Sequence, residues 1–143
     1  MKTAIINTLQ HSTNLIISPD ADGILSAEFL NRHNGSKVVG SYDKNLLCLA
    51  DGINPEECLF VDCDMNRQEY VSLGNHMRLL KDNMSVESFN PNVHFGVSTY
   101  SDKFPFATAF LISFAIEADL SEQDLIRMAF ADSTLKNMEK YSD

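Results

Sequence analysis

Apolar and polar positions along this chain fall into blocks that switch repeatedly between strand-like and helix-like periods. Leu15, Ile16 and Ile17 make a short apolar run, which predicts a buried strand over residues 14–18. Residues 24–33 follow with helical spacing, and Asn34-Gly35 ends them as a C-terminal cap would. A second, valine-bearing strand is predicted over 37–42, then a short helix over 44–50, a turn through Asp51-Gly52-Ile53-Asn54-Pro55, and a third strand over 58–61. Residues 65–84 are ambiguous, because the helical stretch from Gln68 to Leu73 is interrupted by Gly74. Another short strand is expected over 86–89, closed by the turn Asn90-Pro91-Asn92. Pro105 suits the first turn of a long apolar helix reaching about Ala118. Ser121-Glu122-Gln123-Asp124 has the form of a capping box that opens a last helix, ending near Ala131. Strands alternating with helices imply βαβ units, so the expected class is α/β, a three-layer arrangement of a mostly parallel sheet with helices on both faces.

Composition narrows the picture further. At 143 residues the chain is most simply one domain over 1–143, long enough for a real core and too short for two ordinary ones. A formal charge of −9 opposes unspecific grip on long nucleic acid, which needs Lys and Arg against phosphates. It suits a metal site, a small nucleotide or a protein partner better. The longest apolar run, Phe104 to Ile116, is too short to span a bilayer, and no signal peptide fits the start, so no membrane partner is expected. Cys48, Cys58 and Cys63 are odd in number and match no zinc spacing, which reads as reduced thiols and a cytoplasmic setting.

Two strands end in paired carboxylates. The first is followed by Asp20-Ala21-Asp22-Gly23, and the third by Asp62-Cys63-Asp64. Alone, the first tetrapeptide reads as a turn with a helix N-cap. Two acidic strand ends at the same spacing in one small domain instead suggest a shared site, because ligands of α/β sheets bind at the carboxyl ends of strands. Cys63 should point away from its two neighbours, since side chains alternate along a strand.

Taken in order, these marks resemble the DHH phosphoesterase superfamily. Ser18-Pro19-Asp20-Ala21-Asp22-Gly23-Ile24-Leu25-Ser26-Ala27 is similar to its first motif, and Phe60-Val61-Asp62-Cys63-Asp64 to its second, whose aspartate bridges the metals. Leu73-Gly74-Asn75-His76-Met77 stands in the place of the Asp-His-His motif, followed by Asn90-Pro91-Asn92. Asp124 to Asp132 is similar to the helix that delivers a fourth-motif aspartate. The resemblance implies a two-manganese site that hydrolyses phosphoesters or phosphoanhydrides. It assigns metal binding to Asp20, Asp22, Asp62 and Asp132, with Asp64 and His76 as further ligands, and catalytic roles to Asp62 and His76.

The chain departs from that pattern in four respects. Ser18 stands where many relatives have a metal-binding histidine. Setting Gly74-Asn75-His76 against Asp-His-His makes Asn75 the replacement for a metal-binding histidine and leaves His76 as the phosphate-facing one; a shift by one makes His76 the ligand and Met77 the lost histidine. The interval after Asp62 is short for a full strand-helix-strand unit, and no second, substrate-clamping domain is expected.

Carboxylate-rich ligation with one imidazole suits Mn²⁺ or Mg²⁺ better than Zn²⁺. Paired metals about 3.5–4 Å apart lower the pKa of a bridging water and clamp phosphoryl oxygens. Asn75, His94 and Lys103 are candidate substrate contacts, the last because a cation at the edge of an acidic site balances substrate charge; exposed loop residues are the plainer reading of His94 and Lys103. The leading expectation is therefore a divergent metal-dependent phosphoesterase acting on a phosphorylated small molecule or a nucleic-acid end. The alternative is a DHH-like fold that has lost hydrolysis and binds or regulates. A helix with apolar residues almost all round, Pro105 to Ile116, further suggests a homodimer burying Phe110 or Phe114, unless the last helix folds back over them.

Overall fold

The computed structural model describes residues 1–77 and 83–131. Five strands form one mixed sheet in the order β3-β2-β1-β4-β5. They are β1 (Asn14–Ile17), β2 (Lys37–Tyr42), β3 (Leu47–Leu49), β4 (Leu59–Val61) and β5 (Val71–Leu73). β1 lies at the centre, parallel to β2 and β4; β5 continues the parallel run beyond β4, and β3 is antiparallel to β2. The helices are α1 (Lys2–Leu9), α2 (Ala21–Asn34), the single turn α3 (Pro91–His94), α4 (Thr108–Ala115) and α5 (Glu122–Ala131). The class is α/β.

Strand alternation sorts the core into two faces. Leu15, Ile17, Leu59, Val61, Val71 and Leu73 point to one side, where they pack with Ile5, Phe29, Ile112 and Met128 of the helices. Ile16 and Phe60, the odd members of β1 and β4, point to the other side and pack with Cys58, Cys63, Met65 and Tyr70. Among the described residues this second cluster contains no α-helical side chain. Among the described residues the expected helical cover on both faces is thus found on one, and connecting segments and β3 cover the other.

The reason is the β4–β5 connection. After β1 the chain returns through α2 to β2 on one side, whereas after β4 it moves to β5 on the opposite side, so a right-handed crossover must pass over the opposite face. Residues 62–70 make that crossing without a helix, and Met65 and Tyr70 lie across the second cluster. β1 and β4 therefore flank a topological switch point, with their carboxyl ends opening on a crevice.

Two elements differ from expectation. Residues 44–50 are not a helix: Leu47 and Leu49 lean on the second cluster while Cys48 is exposed, a period of two. Asp43 holds the preceding turn, accepting hydrogen bonds from the backbone N–H groups of Asn45 (2.9 Å) and Leu46 (2.7 Å). The helical reading of Gln68–Leu73 also fails, since parallel pairing of Val71-Ser72-Leu73 with β4 outweighs a weak helical pattern. Of the strand expected over 86–89, only Phe89 bridges, to Leu73, and Val86 is fully exposed.

The caps show how the helices are fixed. Asp20 Oδ1 accepts from the N–H groups of Asp22 and Gly23, both at 3.1 Å, starting α2 three residues before the sequence pattern does. Gly35, at φ 75, closes it in the left-handed conformation expected of Asn34-Gly35. At α5, Ser121 Oγ accepts from Asp124 N–H at 3.1 Å and Ser121 N–H donates to Asp124 Oδ2 at 3.1 Å, the reciprocal pattern of a capping box. Arg32 of α2 also donates to Asp124 at 3.1 Å, and together these donors hold that carboxyl down at about 2.

α4 begins at Thr108 rather than Pro105 and buries Leu111, Ile112 and Ala115. α5 packs through Met128 and Ala131, which leaves Phe110 and Phe114 at 37% and 47% exposure. Phe110 stacks on Phe106 with ring centroids 4.4 Å apart. Phe110→Glu is accordingly expected to keep its fold, with a stability change within about 0.5 kcal/mol in a denaturant titration; unfolding of the variant would contradict this placement. Among the described residues no helix is long and apolar enough to cross a membrane.

Candidate functional site

The carboxyl ends of β1 and β4 and the segment after β5 open on a cavity of about 700 Å³, lined among others by Ser18, Asp20, Asp62, Asp64 and His76. The two acidic strand ends thus share one site. Each carboxylate has its own local cause.

Asp22 is not a free ligand. The N-cap residue of α4 is Ala107, whose side chain makes no capping bond. Asp22 supplies the missing cap from α2, its two oxygens accepting from Thr108 N–H and Ala109 N–H at 2.8 Å each. Ser26, one turn further along α2, adds a longer contact at 3.4 Å. Burial still pushes its carboxyl up, against the lowering effect of those backbone donors. Gly23 makes the turn feasible, because a Cβ there would lie well inside contact of the Ser18 carbonyl oxygen and 3.0 Å from Ser18 C and N.

Asp62 follows β4 with its backbone in the left-handed region, φ 57, a conformation that Asp tolerates better than most residues. It is 3% exposed, and its Oδ1 accepts from Thr108 Oγ1 at 2.8 Å. Desolvation, followed by the charge of Asp22, raises its pKa to about 8. Below that pH a proton holds together what would otherwise be crowded negative charge.

Asp64 serves the imidazole. Its Oδ2 lies 3.0 Å from both the backbone N and the Nδ1 of His76, and its Oδ1 accepts from Asn90 Nδ2 at 2.7 Å. The hydrogen bond that the His76 ring makes to Asp64 is the main reason the His76 pKa rises. With Nδ1 committed there, Nε2 is the ring nitrogen left to face other partners. Gly74 gives the Asp64 carboxylate its place, since a Cβ at 74 would overlap it.

The remaining expected residues lie elsewhere. Asn75 is buried; its side chain donates to the Phe106 carbonyl, and its own carbonyl accepts from Asn92 Nδ2 at 2.6 Å. Asn92 Oδ1 in turn accepts from Phe104 N–H at 2.7 Å, so this pair ties the segment before α4 to the β5 loop. His94 packs against Phe89 and Phe95, with centroids 5.4 and 5.0 Å away. Lys103 is half-buried and, like Asn75 and His94, is not among the residues lining the cavity. Asp132 lies outside the described residues. Cys63 leans into the second cluster and also lines the cavity beside Asp62 and Asp64, because β4 ends at Val61 and the left-handed backbone of Asp62 breaks the alternation that was expected to turn it away; burial pushes its thiol up.

No protein-family model matches the chain, and comparison with curated proteins and with solved structures finds no match. The site has to be read from its own chemistry. Among the described residues no three His, Cys, Asp or Glu side chains form a ready metal cage. The donors are nonetheless hard oxygens with one imidazole, which suits Mn²⁺ or Mg²⁺. Asp22 is spent on capping α4 and is not among the residues lining the cavity; Asp20, Asp62, Asp64 and His76 do line it, each also hydrogen-bonded within the protein, and these are the groups that could meet a cation.

Sequence reasoning missed Tyr42, Asp43 and Lys44, which also line the cavity. The signal was present: they follow β2, the strand beside β1, at the same end of the sheet. Reading 44–50 as a helix concealed it.

Proposed function

We propose that this cavity is a cation-dependent phosphoryl site of the DHH kind, which hydrolyses a phosphoester or phosphoanhydride of a small phosphorylated molecule or a nucleic-acid end. What carries the reading is that two acidic strand ends and an aspartate-held histidine meet at the switch point of the sheet. A phosphate cannot approach Asp20, Asp62 and Asp64 unaided, since like charges repel in a partly buried site. Mn²⁺ or Mg²⁺ held by Asp20 and Asp62 would offset that charge and supply Lewis acidity toward the phosphoryl oxygens. The protein's own contribution is positional: Asp64 fixes the His76 tautomer and aims Nε2 for proton exchange, and Asp22 anchors α4 so that Thr108 can hold Asp62.

Titration with Mn²⁺ at pH 8 is expected to raise the melting temperature, with a stabilisation of about 2.7 kcal/mol at a hundred times the dissociation constant. Asp62→Asn should abolish most of that gain, and His76→Ala should suppress Mn²⁺-dependent cleavage of an activated phosphodiester. Absence of Mn²⁺ binding at millimolar concentration in a calorimeter would end the enzymatic reading.

A second reading has its own support. Ser18 brings no imidazole to the first motif, and Asn75 is turned into the scaffold. On that basis the site binds a phosphorylated ligand without turning it over. Mn²⁺-dependent ligand binding with no product formed would select it. A second copy of the chain on the exposed Phe110–Phe114 face remains the proposed protein partner, tested by light scattering of the wild type against Phe114→Glu.

A further inference from the structure

The tip of the β2–β3 hairpin overhangs the acidic cavity, and the phosphoesterase reading gives it no task. Its backbone is tightly held. Asp43 N–H donates to Leu46 O at 3.3 Å, and the Asp43 carboxylate accepts from the next two N–H groups but one, those of Asn45 and Leu46. Tyr42 OH donates to Lys44 O at 3.1 Å, while the Tyr42 ring meets fully buried Phe60 edge-on at 6.4 Å. The hairpin tip is thus fastened both to itself and to the second cluster.

Lys44 occupies the crest of this turn with φ 80. Glycine or asparagine ordinarily takes such a position, because a Cβ is unfavourable there. The turn therefore carries a lysine where its backbone would favour a smaller residue. Its side chain is exposed, and it supplies the one permanent positive charge among the described residues that line the cavity. His76 and Cys63 line the same cavity. The other charged residues around it are Asp20, Asp43, Asp62 and Asp64.

A cation at Asp20 and Asp62 offsets the reacting phosphoryl group but no more. A second phosphate on the same ligand would meet an acidic rim, with Lys44 as its one fixed counter-charge among the described residues lining the cavity. We propose that Lys44 is a specificity-determining residue that receives the second phosphate of a ligand carrying two, so that the cavity selects such ligands over a lone monoanionic diester. This rests on the phosphoesterase reading. It also gives the hairpin the substrate contact that Lys103 was expected to make.

The test uses the whole chain with Mn²⁺ and two substrates, a 5′-phosphorylated dinucleotide and bis(p-nitrophenyl) phosphate. Lys44→Gly removes the ammonium and suits the left-handed backbone, so its melting temperature should not fall. Its KM for the dinucleotide should rise about tenfold, as loss of one charge-assisted contact implies, with kcat and the kinetics on bis(p-nitrophenyl) phosphate little changed. Binding of a non-hydrolysable phosphonate analogue of the dinucleotide, read by fluorescence anisotropy, should weaken by the same factor. Lys44→Arg should restore most of the affinity, and Lys37→Ala, an exposed charge at the far end of β2, should change nothing. Equal effects of Lys44→Gly on both substrates, or no effect on either, would overturn the role of Lys44 while leaving the phosphoesterase reading intact. A wild type without Mn²⁺-dependent turnover of either substrate would remove that reading and this one together.

Discussion

At pH 8 and without metal, Asp62→Asn is expected to be more stable than the wild type by on the order of 3 kcal/mol, and at pH 4 the two should unfold together. In the folded protein burial and the Asp22 charge raise the Asp62 pKa to about 8, from an ordinary value of 3.8. A raised carboxyl pKa means that the folded state binds the proton more tightly than the unfolded state does. Its contribution is therefore fully present below the ordinary value and is lost progressively between about pH 4 and pH 8. Asn carries no charge at any pH and retains an oxygen for Thr108 Oγ1. His76 acts in the same direction, because Asp64 raises its pKa and the stability it adds fades as pH rises through that value. The Asp64 part of that contribution persists in Asp62→Asn, and the difference between the two proteins reads Asp62 together with its smaller coupling to His76, 3.9 Å away. Urea titrations at the two pH values decide the matter. Equal stability at pH 8 would mean that Asp62 is not held neutral. Mn²⁺ should reverse the trend in the wild type, since a cation competes with the proton and its benefit grows as pH rises.

Gly23→Ala is expected to destabilise the fold by about 3 kcal/mol or more, because the new methyl would meet backbone rather than a flexible side chain. Ser18 carbonyl cannot move without shifting the turn that places Asp20 and Asp22, so the capping of α2 and α4 would suffer together. Gly35→Ala is the useful contrast. Gly35 has a left-handed backbone and open space around it, so alanine there costs about 1 kcal/mol of conformational strain alone. Urea denaturation of both variants should separate a steric clash from a backbone preference; equal losses would show that Gly23 is not packed against Ser18.

The parts legible in the sequence were those with local causes. Short apolar runs ending in Asp-x-Asp located β1 and β4, and Asn34-Gly35 and Ser121 to Asp124 marked helix ends through interactions spanning a few residues. The β2–β3 hairpin was missed because Lys44 to Ala50 contains three leucines whose spacing fits either period, and it is the buried surface beside Phe60 that selects the strand. The role of Asp22 was read as metal ligation alone. Its capping of α4 depends on a helix that begins 86 residues later, and no local pattern encodes such a contact. Asn75 was misplaced for the same reason, since its partner Phe106 is 31 residues away. His94 and Lys103 were nominated by proximity in sequence to suggestive neighbours, which says little about where a loop side chain comes to rest.

The α4 anchor also bears on the order in which the molecule assembles. β1, α2 and β2 are consecutive, so their mutual contacts close short loops, whereas the bonds from Asp22 to Thr108 and Ala109 join positions 86 and 87 residues apart. Closing so long a span is entropically costly and is rewarded only after the intervening strands are in place. Docking of α4 is thus a late event in folding, and weakening Asp22 should chiefly accelerate unfolding while leaving the refolding rate little changed. Asp62 receives its Thr108 partner at that same late step, so the acidic cavity matures only as the last long-range contacts close.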